Sequence, residues 1–462
     1  MSIWGWRGRS INMCADTVTR QIALAAAALT YEDIPPPVLD KARRLIADTL
    51  IVAAAGKGLA TSLAMGRAVA PSCGQSRVWF ADRQQSWSAM DAAFLNTLHA
   101  GALDYDSLNG AVHADLVTLP AAWAMAEHYG RSPRELITAY VVASEMVSRL
   151  SRCSTGLSKG WSGTSIYGGI GAALASGLLM GLDASRLTHA LGLAAVQAAG
   201  TQQANVEQTL AKRLQPAFAA RNGVFAALLA EAGATGPAQA LEGKFGLRTL
   251  YQPGDDQGLL MGWRRDWQLL DTAIKRFPVC ACSHAAIQGL LELKAQIGFS
   301  ANQVGEVVAS ISPFMHRLVG GDFNLQGDLE VVAQFNLRYH LASVLLRGPI
   351  SLRDLQPDRL RDAQIQAMIP RIHLQIDADN PHELAPASIK LTLNTGQAYE
   401  RVCSVLPGSP QSPLLAEQWL GKARECAAFA EPGIDQARLS KLLGALERLD
   451  ELPTLEMLWN ES

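Results

Sequence analysis

From about Thr17 to Leu247, apolar residues of this 462-residue chain recur at three- and four-residue spacing with few breaks. That is the period of packed helices. In residues 37–55 (PVLDKARRLIADTLIVAAA) the charges gather on the face away from the apolar stripe, as in a helix half-sunk in a core. Pro35-Pro36-Pro37 breaks the chain before it and supplies its first turn. Ser132-Pro133-Arg134-Glu135 spells a helix start, with a serine cap, proline at the first position and glutamate three residues after the cap. Asp183-Ala184-Ser185 opens another helix just after Gly181. Connections this short imply a helical bundle. The 39 glycines and abundant alanine suit close helix packing better than a β-sandwich. Gly168-Gly169-Ile170-Gly171 has a GxG spelling, but no strand precedes it, so it reads as helix-packing glycine.

After about Trp267 the period changes. Residues 304–312 (VGEVVASIS), 372–376 (IHLQI) and 387–393 (ASIKLTL) are β-branched runs with partial alternation. Asn394-Thr395-Gly396 is a hairpin turn, and residues 400–405 (ERVCSV) return as the partner strand. Helical segments at 285–296 and 331–346 lie among them, and the chain is helical again after Pro407, ending with 435–449. The expected fold is mainly α with an α+β part. A large helical domain is built from residues 14–267 and 407–462, and a smaller α+β lid from 268–406. A cleft between them is the default ligand site.

Composition narrows the function. Hydrophobic residues make up 49% and charged residues 18%, which excludes a disordered chain. Lys+Arg number 40 against 42 Asp+Glu, so there is no basic excess to bind a phosphate backbone or an anionic membrane surface. The seven cysteines are odd in number and scattered, which fits a reducing compartment. Cys280 and Cys282 face no second cysteine pair, so no metal site is expected. The N-terminal stretch lacks the apolar core of a secretory signal, and Met13 is an alternative start that would make the first dozen residues a loose tail. The uncharged stretch 163–182 nears membrane-spanning length. Its glycines and its lack of flanking basic clusters mark it as a buried helix. A cytoplasmic protein is expected.

No HExxH or Walker loop occurs, so chemistry is sought in clusters. Asp104, Asp106, His113 and Asp115 share a polar loop between two apolar helices, which either presents an acid and a base to a cleft or only caps a helix. Lys212 stands alone in apolar surroundings, either cradling a carboxylate or snorkelling to water. Lys275, Arg276 and His284 bracket a proline-enforced loop at the domain junction, where a helix N-terminus binds an anion or a serine merely caps it. Tyr339 lies on a mostly apolar helix, the usual setting of a core tyrosine with a satisfied hydroxyl. Together the set suits an anionic substrate and proton transfer.

Six segments in order carry a resemblance: ALDYDSLNGAVHADLVTLPAAWAMAE, GWSGTSIYGGIGAALASGLLMGLD, LAKRLQPAFAARNGVFAALLAEAG, IKRFPVCACSHAAIQGLLEL, FNLRYHLASVLLRG and VLPGSPQSPL. The chain resembles the MmgE/PrpD family, which includes 2-methylcitrate dehydratase, cis-aconitate decarboxylase and iminodisuccinate epimerase. The resemblance implies a helical domain with an α+β lid, a homodimer, no metal or organic cofactor, and a cleft for a small di- or tricarboxylate. It assigns the catalytic positions to Asp104 (DFDD-like), His113 (HPS-like), Lys212 (KxLH), His284 (TH) and Tyr339 (FxxxY). Substrate contacts are expected from Ser162, Thr164, Gln215, Lys275 and Arg276. Two positions depart from the family's patterns: its GxHxTG histidine is Ser162, and its KxLH histidine is Gln215. Neutral groups hold a carboxylate less strongly than charged ones, so the expected substrate is neither 2-methylcitrate nor cis-aconitate itself.

The shared reaction is proton transfer at carbon next to a carboxylate. His113 and His284 are expected to move the protons. Lys212 would hold a carboxylate, Asp104 would orient a histidine, and Tyr339 would donate to the leaving group or the developing charge. The expected activity is a lyase of the 2-methylcitrate dehydratase type. An epimerase of the iminodisuccinate type is the alternative, and a non-catalytic carboxylate binder is the third reading.

Overall fold

The computed structural model describes residues 17–82, 84–154, 160–251, 254–255 and 257–461. Cys14 and the N-terminal tail lie outside them. The first half is helical: α1 (Val18–Ala27), α2 (Pro36–Lys57), α3 (Ala60–Gly66), α4 (Ala89–Gly101), α5 (Ala114–His128), α6 (Pro133–Arg152), α7 (Gly163–Met180), α8 (Ala184–Ala195), α9 (Gln203–Val206), α10 (Ala211–Glu231) and α11 (Leu247–Leu250). The Ser132/Glu135 capping box forms, with Pro133 opening α6.

Helix α7 is at the centre, packed by α5, α6, α8 and α10. It is apolar on every side, as a fully enclosed helix must be, and 94% of its residues are buried. It is also the single helix among the described residues that is long and apolar enough to cross a membrane. Its glycines are packing sites. A Cβ at Gly171 would stand 2.4 Å from Val147 Cγ2, and one at Gly223 of α10 would stand 2.4 Å from Ala172 Cβ. Hydrogen at these positions lets α6, α7 and α10 approach within side-chain contact.

The second half comprises α12 (His284–Ile297), β1 (Val304–Ile311), α13 (Pro313–Val319), α14 (Leu329–Phe335), α15 (Leu337–Arg347), α16 (Pro357–Leu360), α17 (Ala363–Met368), β2 (Ile372–Ile376), β3 (Ala387–Leu393) and β4 (Ala398–Cys403). The four strands form one sheet in the order β2-β1-β3-β4. β1 is parallel to β2 and antiparallel to β3. Along β3, Ala387, Ile389 and Leu391 point inward and alternate with more exposed residues, the period of a half-buried strand. Helix α12 packs on β3 and β4. The chain closes with α18 (Ala416–Phe429), α19 (Gln436–Glu447) and α20 (Leu455–Glu461), and α18 and α19 return to pack on α2.

Two boundaries differ from expectation. The helix read at 331–346 is two helices, because Asn336 turns the chain (φ −118°, ψ 105°) and its side chain caps Tyr339 N at 3.0 Å. Strand β4 begins two residues early, because the turn closes tightly, with Leu393 N donating to Gln397 O at 2.9 Å and Gly396 at φ 87°.

The halves meet at the loop between α4 and α5. Leu108 pairs with Ala273, Gln334 Nε2 donates to Ala102 O at 2.9 Å, and Cys280 N donates to Gln334 O at 2.9 Å. From the C-terminal helices, Lys422 donates to Tyr105 O at 2.9 Å and to Asp48. The 102–113 loop is thus clamped from three directions.

Candidate active site

A cavity of about 100 Å³ opens at this junction, lined by Asp104, His113, Ser162, Thr164, Lys212 and Lys275 among others. Its polar wall is made of helix beginnings. His113 is the N-cap of α5, Ser162 is the N-cap of α7 and Thr164 lies in its first turn, and Lys212 is in the first turn of α10. Cys280, Ala281 and Cys282 line the wall immediately before α12. Aligned peptide dipoles put partial positive charge at such ends, so the wall favours an anion before any side chain is counted.

Asp104 is the hub. Its backbone is left-handed (φ 49°) and its side chain is buried. Lys212 Nζ bonds one carboxylate oxygen, and Lys275 Nζ lies 2.7 Å from the other and 2.7 Å from the Asp104 carbonyl. Burial opposes ionisation of Asp104, but the two ammonium groups outweigh it and hold the carboxyl well below its usual range. Burial likewise works against Lys275, and Asp104 and Asp106 overcome it, so its ammonium is held charged. An ammonium has three donors. Lys275 uses two on Asp104 and Lys212 uses one, and both line the cavity.

His113 takes a different carboxylate. Its Nδ1 lies 2.6 Å from Asp106 Oδ2, and its backbone N donates to Thr164 Oγ1 at 3.0 Å. Asp106 is buried, yet His113 and then Lys275 hold its carboxyl below the ordinary value. Fixing Nδ1 sets the ring plane and leaves Nε2 as the nitrogen available to a ligand. Asp115 is turned away, accepting from Ser107 at 2.6 Å, Tyr140 at 2.8 Å and Ser144 at 3.0 Å.

The cavity therefore brings together Asp104, His113, Lys212, Ser162, Thr164, Gln215 and Lys275 of the expected residues. It does not include the other three. His284 is fully buried behind the wall, with Nε2 donating to Val279 O at 3.2 Å and its ring edge-on to Phe277. Burial, assisted by Lys275, pushes its pKa down to about 3, so it is a neutral imidazole at working pH. The Tyr339 hydroxyl donates to the backbone carbonyl of Asp354, and its ring stacks on Phe323. Arg276 faces Gln288 at 2.8 Å and lies over the Phe277 ring.

Three features of the site go beyond the roles read from the sequence. Asp106, not Asp104, holds the imidazole. Its signal is the Asp104-Tyr105-Asp106 spacing, which the left-handed turn at Asp104 converts into two carboxylates with different partners, two lysines for Asp104 and His113 for Asp106. Cys280 and Cys282 share the wall. A hydrogen bond from Cys282 and the nearby Lys275 hold the Cys280 thiol below its usual value, against its burial, whereas that same bond and burial push Cys282 well up. Trp161, Phe314, Leu318, Phe335 and Leu384 form an apolar wall that no local motif announces.

The two-part chain thus sets helix beginnings and two lysines around one cavity at the junction of its halves. The MmgE/PrpD N-terminal domain model matches residues 20–259 and the MmgE/PrpD C-terminal domain model matches 277–447, so the chain belongs to the MmgE/PrpD family. It is similar to the cis-aconitate decarboxylase-like protein oryM of Aspergillus oryzae, 26% identical over 94% of both chains. It is also similar to the cis-aconitate decarboxylases of Aspergillus terreus (24% identical, 96% of both chains) and Homo sapiens (25% identical, 96% of this chain and 95% of that one).

Proposed function

We propose that this protein is a lyase that removes carbon dioxide from a small unsaturated di- or tricarboxylate by allylic decarboxylation. The observation that carries the reading is the paired arrangement in one cavity: His113 held by buried Asp106, beside two lysines held by buried Asp104. In such a step the bond to the departing carboxylate breaks. Its electron pair moves through the alkene onto the carbon next to a second carboxylate, and one proton is then delivered to that carbon. Fixed ammonium groups and helix N-termini stabilise the enediolate-like charge as it forms. His113 Nε2 delivers the proton, and Asp106 steadies the imidazole as it does so.

Decarboxylation needs one proton given. Dehydration and epimerisation each need one taken and one given, and among the described residues His113 is the one imidazole lining the cavity. The relatives point the same way, since three of them carry the decarboxylase name over nearly their whole length.

The test is to incubate the full chain with a panel of unsaturated and hydroxylated di- and tricarboxylates in deuterated water, following carbon dioxide release and NMR together. One deuterium entering the product for each carbon dioxide released supports the reading. An alkene formed from a hydroxy acid without carbon dioxide would make it a dehydratase. Deuterium exchange with neither loss would make it an epimerase.

A further inference from the structure

The charges around the cavity fall short of what a tricarboxylate demands. Among the described residues, the charged side chains lining it are Lys212, Lys275 and Asp104, and His113 adds a positive charge when protonated, backed by buried Asp106. Two lysines against two aspartates leave no surplus of side-chain charge, a protonated His113 leaves a surplus of one, and the beginnings of α5, α7 and α10 add only partial positive charge. Arg276 points to Gln288 outside the cavity. At the rim, Arg317 holds Gln202 at 3.2 Å and sits in the field of Glu383. The remaining polar lining is neutral: Ser162, Thr164, Gln202, Asn205 and Gln215. A neutral donor set holds a second carboxylate far better than a third, because each added anion must be desolvated without a partner.

The rest of the lining is apolar and incompletely covered. Trp161, Phe314, Leu318 and Leu384 are each half-buried, and they come from the approach to α7, from α13 and from the loop before β3. Large apolar side chains gathered at a cavity and left partly open bind an apolar part of a ligand.

We propose that the substrate is a dicarboxylate carrying a short apolar substituent, which these four side chains receive where a tricarboxylate would place its third carboxylate. The inference rests on the decarboxylase reading and narrows it. The reaction leaves room for it: allylic decarboxylation uses one carboxylate as the leaving group and one to accept charge, and a third plays no part in moving the electrons.

The test is calorimetric binding to the full wild-type chain of glutaconate, its 3-methyl, 3-ethyl and 3-propyl derivatives, and aconitate, whose 3-substituent is a carboxylate. Affinity is expected to rise about fourfold per added methylene, with aconitate weaker than the ethyl compound. Leu384→Asn and Phe314→Ser, each checked for an unchanged circular dichroism spectrum, are expected to flatten that dependence. A flat series in the wild type, aconitate binding tightest, or no binding by any of these acids would overturn the proposal. Carbon dioxide release is followed in parallel. A rising affinity series without carbon dioxide from any member sinks the decarboxylase reading and leaves the ligand class standing. Turnover best with aconitate does the reverse.

Discussion

Replacing Asp104 by asparagine tests the charge that organises the cavity. The Lys275 ammonium is 2.7 Å from the Asp104 carboxylate and its side chain is 1% exposed. At an effective dielectric near 20, attraction across that distance is roughly 6 kcal/mol before desolvation. Burying both ions cancels much of this, and removing one member of a buried pair costs about 3–5 kcal/mol, because the other is left charged without its partner. Lys212 is 19% exposed and contributes less, since solvent screens it. Asp104→Asn is therefore expected to lower unfolding stability by about 3–5 kcal/mol at neutral pH, measured by urea unfolding. Adding Lys275→Met removes the stranded ammonium and should restore at least about 1 kcal/mol.

The pH dependence has a definite sign. Burial opposes the charge on Asp104, but the lysines hold its folded pKa below the ordinary 3.8. Its stabilisation is then complete above the unfolded pKa and is lost as pH falls through the lower folded value. The gap between wild type and Asp104→Asn should be level from about pH 8 to 5 and close below about pH 4. A single variant that loses less than about 1 kcal/mol, or a double variant as unstable as the sum of its singles, would refute the hub.

His113→Gln should lower kcat by about 10²–10⁴-fold in steady-state kinetics, and Asp106→Asn by up to about 10⁴-fold with KM little changed, because the ring loses its orienting acceptor. Tyr339→Phe should leave kcat within about twofold and cost about 1 kcal/mol in urea unfolding, since its hydroxyl serves a backbone carbonyl. Burial holds His99 and His284 near pKa 3 and His340 near 4. Unfolding frees them to protonate near 6.5, so stability is full above that pH and falls as pH drops towards 4. A melting temperature that stays level from pH 7 to 5 would contradict this, and His340→Gln should weaken the acid slope.

Helix and strand were legible in the chain because their signals are local. Period 3.6 over the first half, period 2 in 304–312 and 387–393, and capping residues at Ser132 and Asp183 each act within a few residues. Where a local conflict existed, as at Asn336, the side chain's own hydrogen bonds decided it. The candidate site was half legible. Asp104 and His113 stood out in a polar loop between apolar helices and Lys212 in apolar surroundings, and these do line the cavity. His284 stood out beside two cations at a helix start and Tyr339 on an apolar helix, yet each turns its polar atom to a backbone carbonyl. Nothing within a few residues of either distinguishes a ring facing a cavity from a ring facing Val279 O or Asp354 O.

By itself, then, the amino-acid order determined a helical body, a four-stranded insertion and a short roster of charged and imidazole groups, because periodicity and composition are properties of neighbours in sequence. Only the tertiary structure decided that Asp106 rather than Asp104 takes His113, that one buried carboxylate holds two lysines, and that the beginnings of α5, α7 and α10 point at a common space. The Asp104 pairings with Lys212 and Lys275 join residues over a hundred positions apart. Their strength comes from shared burial, which no single segment of the chain possesses alone.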